Sequence, residues 1–169
     1  MKIFITRKIP GKALEELMKT DHEIIVSQFD RPLTPEEIIE MGKGSDAMLT
    51  LLTDKIDGEV LDAIGPQLKI ISNYAVGFDN IKVQDATDRG IVVTNTPSDE
   101  VNESVAEHTW ALMLAVSRRV VESDEAVRGG AYAGWEPDIF IGDNLYKKTL
   151  GIVGMGRIGK MVASKAQGF

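Results

Sequence analysis

The sequence predicts an α/β fold: a parallel sheet with helices on both faces, then a long helix, then one further strand–turn–helix. Three observations carry this. Five short runs rich in Ile, Leu and Val recur through the first hundred residues, each separated from the next by a segment of helical spacing. Those runs are apolar along their length rather than alternating, the pattern of strands covered on both faces. Near the end of the chain, a glycine-rich turn stands between an apolar run and a second helical pattern.

The elements follow in order. Lys2 to Thr6 reads as the first strand. Beyond Pro10-Gly11, Ala13, Leu14, Leu17 and Met18 fall at helical spacing, and His22 to Val26 is the second strand. Thr34-Pro35-Glu36-Glu37 is a helix start: Thr34 can cap, Pro35 suits the first helical position, and Glu37 can close a capping box. That helix runs out at Gly42–Gly44, and Ala47 to Leu52 is the third strand. Asp57 can cap a short helix over Val60, Leu61 and Ile64, which Gly65-Pro66 stops. Leu68 to Ser72 is the fourth strand, Val83 to Arg89 a brief helix ended by Gly90, and Ile91 to Thr94 the fifth strand. For five such alternating units, a flavodoxin-like strand order is the simplest arrangement.

The rhythm then changes. Glu103 to Arg128 contains no Gly or Pro and is expected as one helix of about 25 residues, long for a globular domain. Val105, Trp110, Leu114 and Val120 occupy more than one of its faces, so it needs cover from its own chain or from a second subunit. A homodimer through Glu103–Arg128 is the expectation. Gly129 to Lys148 reads as irregular, Thr149 to Val153 as a strand, and the chain from about Arg157 to Gln167 as a helix.

Composition narrows the function. The chain has 169 residues, 43% hydrophobic and 27% charged, which argues against a disordered or fibrous protein. A net charge of −7 argues against a nucleic-acid partner. No apolar run approaches the length of a membrane span, and the N-terminus lacks the pattern of a signal peptide. With no cysteine, disulfides, iron–sulfur clusters and thiolate zinc sites are excluded, and His22 and His108 alone cannot make a histidine-rich metal centre. A cytoplasmic protein acting on small molecules is expected.

Two motifs suggest ligands. In Gly154-Met155-Gly156-Arg157-Ile158-Gly159, Gly154 permits a tight turn, Gly156 lets the backbone approach a pyrophosphate, and Gly159 allows close packing of helix on strand. The following helix N-terminus presents free N–H groups to phosphate. The acidic residue that would help choose between NAD and NADP falls about 20 residues further on, beyond Phe169. The second motif, Tyr74 to Asn80, follows the fourth strand at the edge of the sheet where α/β folds bind ligands. It reads either as a small anion cradle around Gly77 or as an ordinary loop capped by Asp79 or Asn80. His108 reads as a structural histidine, and Glu107 has no visible titratable partner.

Together, several segments resemble the D-isomer-specific 2-hydroxy-acid dehydrogenases. They are Tyr74-Ala75-Val76-Gly77-Phe78-Asp79-Asn80-Ile81, Asn95-Thr96-Pro97, Ser104 to Thr109, Ser117-Arg118-Arg119, and Lys148 to Gly159. The stretch from Trp135-Glu136-Pro137 through Phe140 and Gly142 is most similar to glyoxylate/hydroxypyruvate reductases, with phosphoglycerate dehydrogenases next. The resemblance implies a substrate-binding domain over 1–100, a helix and dimerisation arm over 101–148, and the start of a Rossmann NAD(P)-binding domain over 149–169. It implies that the amides of Val76 and Gly77 hold the carboxylate of a small 2-oxo or 2-hydroxy acid, with Leu52 lining that pocket. Val76 would also lie near the nicotinamide, Arg157 and Ile158 would meet the pyrophosphate, and Thr109 would reach a cofactor phosphate.

Members of this family are longer than this chain, and their catalytic arginine, glutamate and histidine lie in the second half. No residue here matches those three positions. Arg118, Arg119 and His108 belong to other motifs, so the chain is expected to be an N-terminal half without activity of its own. Two rivals remain. One is a dinucleotide-sensing interaction protein on the same scaffold. The other is a receiver-like domain built on Asp54, against which Arg7-Lys8 stands where acidic residues are needed.

Overall fold

Five parallel strands form the sheet in the computed structural model, which describes residues 1–169. They are β1 (Lys2–Ile5), β2 (Glu23–Val26), β3 (Ala47–Thr50), β4 (Ile70–Asn73) and β5 (Val92–Thr94), in the order β2-β1-β3-β4-β5. This is the flavodoxin-like order expected from the alternation, and every pairing is parallel. Parallel neighbours cannot be joined by a hairpin, so each connection crosses over through a helix. The crossovers are α1 (Ala13–Leu17), α2 (Pro35–Gly42), α3 (Gly58–Ile64) and α4 (Val83–Asp88).

The continuous apolar strands have a visible cause. On β1, Phe4 packs into one core with Ile38, Met48, Leu61 and Ile71, while Ile3 and Ile5 pack into a second with Leu14 and Ala47. Successive side chains point to opposite faces, and both faces are covered. The edge strand β5 departs from this: its Val92 is 56% exposed. The helix signals are realised as read. Thr34 accepts from the Glu37 amide while the Glu37 carboxylate accepts from the Thr34 amide, and Asp57 accepts from the amide of Val60. Gly65 ends α3 at φ +117°, in the left-handed range that favours glycine.

The chain divides into two compact units, Met1–Pro97 and Ser98–Phe169. Three expectations for the second unit are corrected. The single helix over Glu103–Arg128 is two, α5 (Asp99–Ser117) and α6 (Val120–Arg128), separated at Arg119, whose φ is +52°. α5 begins early because the Ser98 hydroxyl accepts from the amide of Val101, with Asp99 and Glu100 in the first turn. It ends at Ser117, whose carbonyl would accept from Val121 in an uninterrupted helix. That carbonyl instead accepts from the amide of Asp143 at 2.7 Å, delivered by a loop that passes so close that a Cβ on Gly142 would lie 2.3 Å from it.

The strand expected at Thr149–Val153 does not form, and Val153 is fully exposed. No other strand lies in this unit to pair with it, and an unpaired strand leaves its backbone groups unsatisfied. The last helix, α7 (Arg157–Lys165), stops short of Gln167 and passes into a 3₁₀ turn over Ala166–Gly168. Trp110 joins α5 to α7: its indole N–H donates to the Val162 carbonyl at 3.0 Å, and its ring stacks on Phe169. The Glu103–Lys165 ion pair links the same two helices.

Candidate functional site

The parallel register brings three strand ends to one edge. Thr50 of β3 lies beside Asn73 of β4, and Ser72 of β4 beside Thr94 of β5. The chain leaving β3 carries Leu52, the chain leaving β4 carries Val76 and Gly77, and Asn95-Thr96 follows β5. Leu52, Val76 and Gly77, expected together from the resemblance, do share this edge. Leu52 is 56% exposed and opens onto a cleft of about 390 Å³, lined also by Thr53, Lys55, Asp79 and Asn80.

Beneath the edge lies a buried polar network. The Asn73 side chain accepts from the Thr50 hydroxyl at 2.9 Å and donates to the Gly77 carbonyl at 2.9 Å and to Asn80 Oδ1 at 3.0 Å. Asn80 Nδ2 donates to the carbonyls of Leu51 and Asp54. The buried Asp54 carboxylate accepts from the Thr6 hydroxyl and from the Leu51 amide. Asp54 is therefore tied into the scaffold under the loops, which disposes of the receiver-like reading.

The loop after β4 shows an asymmetry between its carbonyls and its amides. The Ala75 carbonyl accepts from the amide and hydroxyl of Thr96, at 2.9 and 3.1 Å. The Val76 carbonyl accepts from Asn95 Nδ2 at 2.7 Å, and the Gly77 carbonyl from Asn73. The amides of Val76 and Gly77, by contrast, donate to no group of the chain. Sequence reading assigned no role to Asn73, Asn95 and Thr96. The motif Asn95-Thr96-Pro97 was visible, but what its side chains grip depends on strand pairing. His22 lies just before β2, at the opposite end of the strands, and does not serve this edge.

The second unit holds the other predicted residues. Gly154 sits at φ +96° and Gly156 is the N-cap of α7, and a Cβ at either would meet nothing within 4 Å. No side chain caps this helix, so its first-turn amides are free to meet a ligand. Gly159 differs: a Cβ there would lie 2.2 Å from the Gly154 carbonyl oxygen, so only glycine lets the helix close onto the turn. Open space at the first two glycines and tight packing at the third are what a phosphate group of a dinucleotide needs. The turn fits such a group. Arg157 is exposed and Ile158 half-buried in the α5–α7 contact. Thr109 spends its hydroxyl on the Val105 carbonyl one turn back, at 2.8 Å, and His108 beside it is exposed.

Comparison with known proteins agrees with this reading. The family model for the catalytic domain of D-isomer specific 2-hydroxyacid dehydrogenases matches residues 3–163. The glyoxylate reductase of Thermococcus kodakarensis is 45% identical over 172 aligned residues, covering 99% of this chain and 51% of that protein. Among solved structures, the TT0316 protein of Thermus thermophilus superposes with a TM-score of 0.88 at 39% identity, over 99% of this chain and 53% of that one. A D-lactate dehydrogenase of Aquifex aeolicus, solved with NAD and lactic acid, superposes with a TM-score of 0.75 at 27% identity, over 99% and 48%. The chain thus spans about half the length of the curated relatives it matches. With the strand order, the loop after β4 and the glycine turn already pointing the same way, this chain belongs to the D-isomer-specific 2-hydroxyacid dehydrogenase family.

Proposed function

We propose that this chain supplies the carboxylate cradle and the first phosphate loop of an NAD(P)-dependent D-2-hydroxyacid dehydrogenase that reduces glyoxylate or hydroxypyruvate. The single observation carrying the proposal is the pair of unpartnered amides at Val76 and Gly77, at the ligand-binding edge of a parallel sheet. Two adjacent N–H groups match the two oxygens of a carboxylate, and charge-assisted bonds of this kind are about twice as strong as neutral ones. Leu52 covers the apolar side of a small substrate. Val76 lies near the nicotinamide, and Thr109 reaches toward a cofactor phosphate once its side chain turns from Val105.

The nicotinamide group, when bound, provides the hydride that reduces the 2-oxo carbon. The residues that would hold its dinucleotide here are Gly154, Gly156, Arg157, Ile158 and Gly159, through backbone amides and the positive end of α7. In this reading the group that gives the carbonyl its proton comes from outside residues 1–169, because no residue of the chain matches the family's catalytic arginine, glutamate and histidine positions. The absence of cysteine suits a cytoplasmic enzyme. The exposed valines of α5 and α6 suit a homodimer formed through that surface.

A chimera tests the activity: residues 1–169 joined to the second half of the Thermococcus kodakarensis glyoxylate reductase. Glyoxylate- or hydroxypyruvate-dependent oxidation of NADH or NADPH is the expected result, and the preferred dinucleotide follows from the same assay. Preference for phosphohydroxypyruvate would favour the phosphoglycerate dehydrogenase reading. Inactivity toward every 2-oxo acid in a folded chimera would overturn the proposal.

A further inference from the structure

We infer that Asn95, with Thr96, is a positioning residue that holds the peptide planes carrying the Val76 and Gly77 N–H groups so that both amides face the substrate. The inference rests on the carboxylate-cradle reading above but has an observable of its own. In a planar trans peptide, a carbonyl and the N–H that follows it point in opposite directions. Gripping the Ala75 carbonyl therefore aims the Val76 N–H, and gripping the Val76 carbonyl aims the Gly77 N–H. Thr96 does the first through its amide and hydroxyl, and Asn95 does the second through Nδ2 at 2.7 Å.

Both grips come from the chain leaving β5, so both amides are turned away from it, toward one side. Asn73, from β4, holds the Gly77 carbonyl and so fixes the next plane, that of the Phe78 N–H. A loop this glycine-containing would otherwise sample several orientations, and an anion would have to select among them. Holding the planes in advance removes that ordering cost from binding. The Asn95 side chain makes no other hydrogen bond, so its role at this edge is confined to the Val76 carbonyl.

Nitrogen-15 relaxation on the 169-residue chain tests this without ligand. In the wild type the Gly77 amide should show the order parameter of rigid backbone, about 0.85, and in Asn95→Ala it should fall below about 0.6. The near-isosteric Asn95→Asp, which also lacks the donor, should give the same loss, with the amides of β1–β4 unmoved as proof of folding. A Gly77 amide that stays rigid in both variants overturns the inference. Titration with oxamate, a stable 2-oxo-acid mimic, adds the functional arm. The Val76 and Gly77 amides should shift in the wild type, and affinity should drop about tenfold in Asn95→Ala, the equivalent of one hydrogen bond's ~1.4 kcal/mol. Unweakened oxamate binding in Asn95→Ala also counts against the inference. If oxamate leaves the wild-type amides unshifted, the cradle reading fails, and the order parameters still decide whether Asn95 holds the plane.

Discussion

Gly156 and Gly159 lie three residues apart in one turn and answer to different forces. A methyl group on Gly156 meets open space, whereas one on Gly159 collides with the Gly154 carbonyl oxygen at 2.2 Å. Gly159→Ala should therefore push α7 off the turn and cost about 1–3 kcal/mol, as overpacking does. Gly156→Ala should leave stability within about 0.5 kcal/mol, since its neighbourhood is empty. Urea unfolding followed through Trp110 and Trp135 fluorescence reads both. Equal losses in the two variants would show that the turn is held by backbone conformation rather than by the close approach at Gly159.

Among the elements, α2 is fixed by its first turn. Removing the cap in Thr34→Ala should cost about 0.5–2 kcal/mol, measurable as a lowered urea midpoint. The same turn carries a pH dependence. The Arg31 guanidinium, hydrogen-bonded to the Glu37 carboxylate, and the Thr34 amide hold the Glu37 carboxyl down at about 2. A carboxyl lowered on folding stabilises the fold above its ordinary value of about 4.3 and loses that contribution as pH falls toward 2. Glu37→Gln should lower the urea midpoint at neutral pH and flatten its decline between about pH 4 and 2. The exposed valines of α5 and α6 make a second prediction: Val116, 78% exposed, and Val120 and Val121 beside it suit a partner rather than water. Light scattering should give twice the chain mass for the wild type and a monomer for Val116→Asp. A monomeric wild type at micromolar concentration would remove the dimer proposal.

At the scale of the whole molecule, the chain alone should bind nicotinamide dinucleotides weakly and turn over neither glyoxylate nor hydroxypyruvate. A helix N-terminus contributes about 0.3–1 kcal/mol to an exposed anion. Millimolar binding already needs about −4.1 kcal/mol after the entropy of association is met. Calorimetry with NADH and an absorbance assay at saturating substrate check both points. Micromolar affinity would mean that the glycine turn suffices without the remainder of a nucleotide-binding sheet. Turnover abolished by His108→Ala would place the proton donor on α5 instead of outside this chain.

How much of this was legible in the sequence depends on the range of the interactions involved. The strands β1–β5, the capping box of α2, the Asp57 cap of α3, the glycines that stop both helices, and the glycine turn follow from residues within a few positions of one another. Thr34 and Glu37, or Gly154 and Gly159, meet whatever the rest of the chain does. The break between α5 and α6 was illegible, because the amide that takes the Ser117 carbonyl belongs to Asp143, and no local signal at Arg118-Arg119 forbids a helix. The missing strand at Thr149–Val153 had a strand's composition but no neighbour to bond. The site divides the same way. Val76, Gly77 and Leu52 could be placed by motif, yet the grips of Asn73, Asn95 and Thr96 on successive carbonyls arise only when β3, β4 and β5 pair in register. Local sequence determined which segments become strands and helices and which turns can admit a ligand; pairing between distant strands decided which way the amides of those turns point.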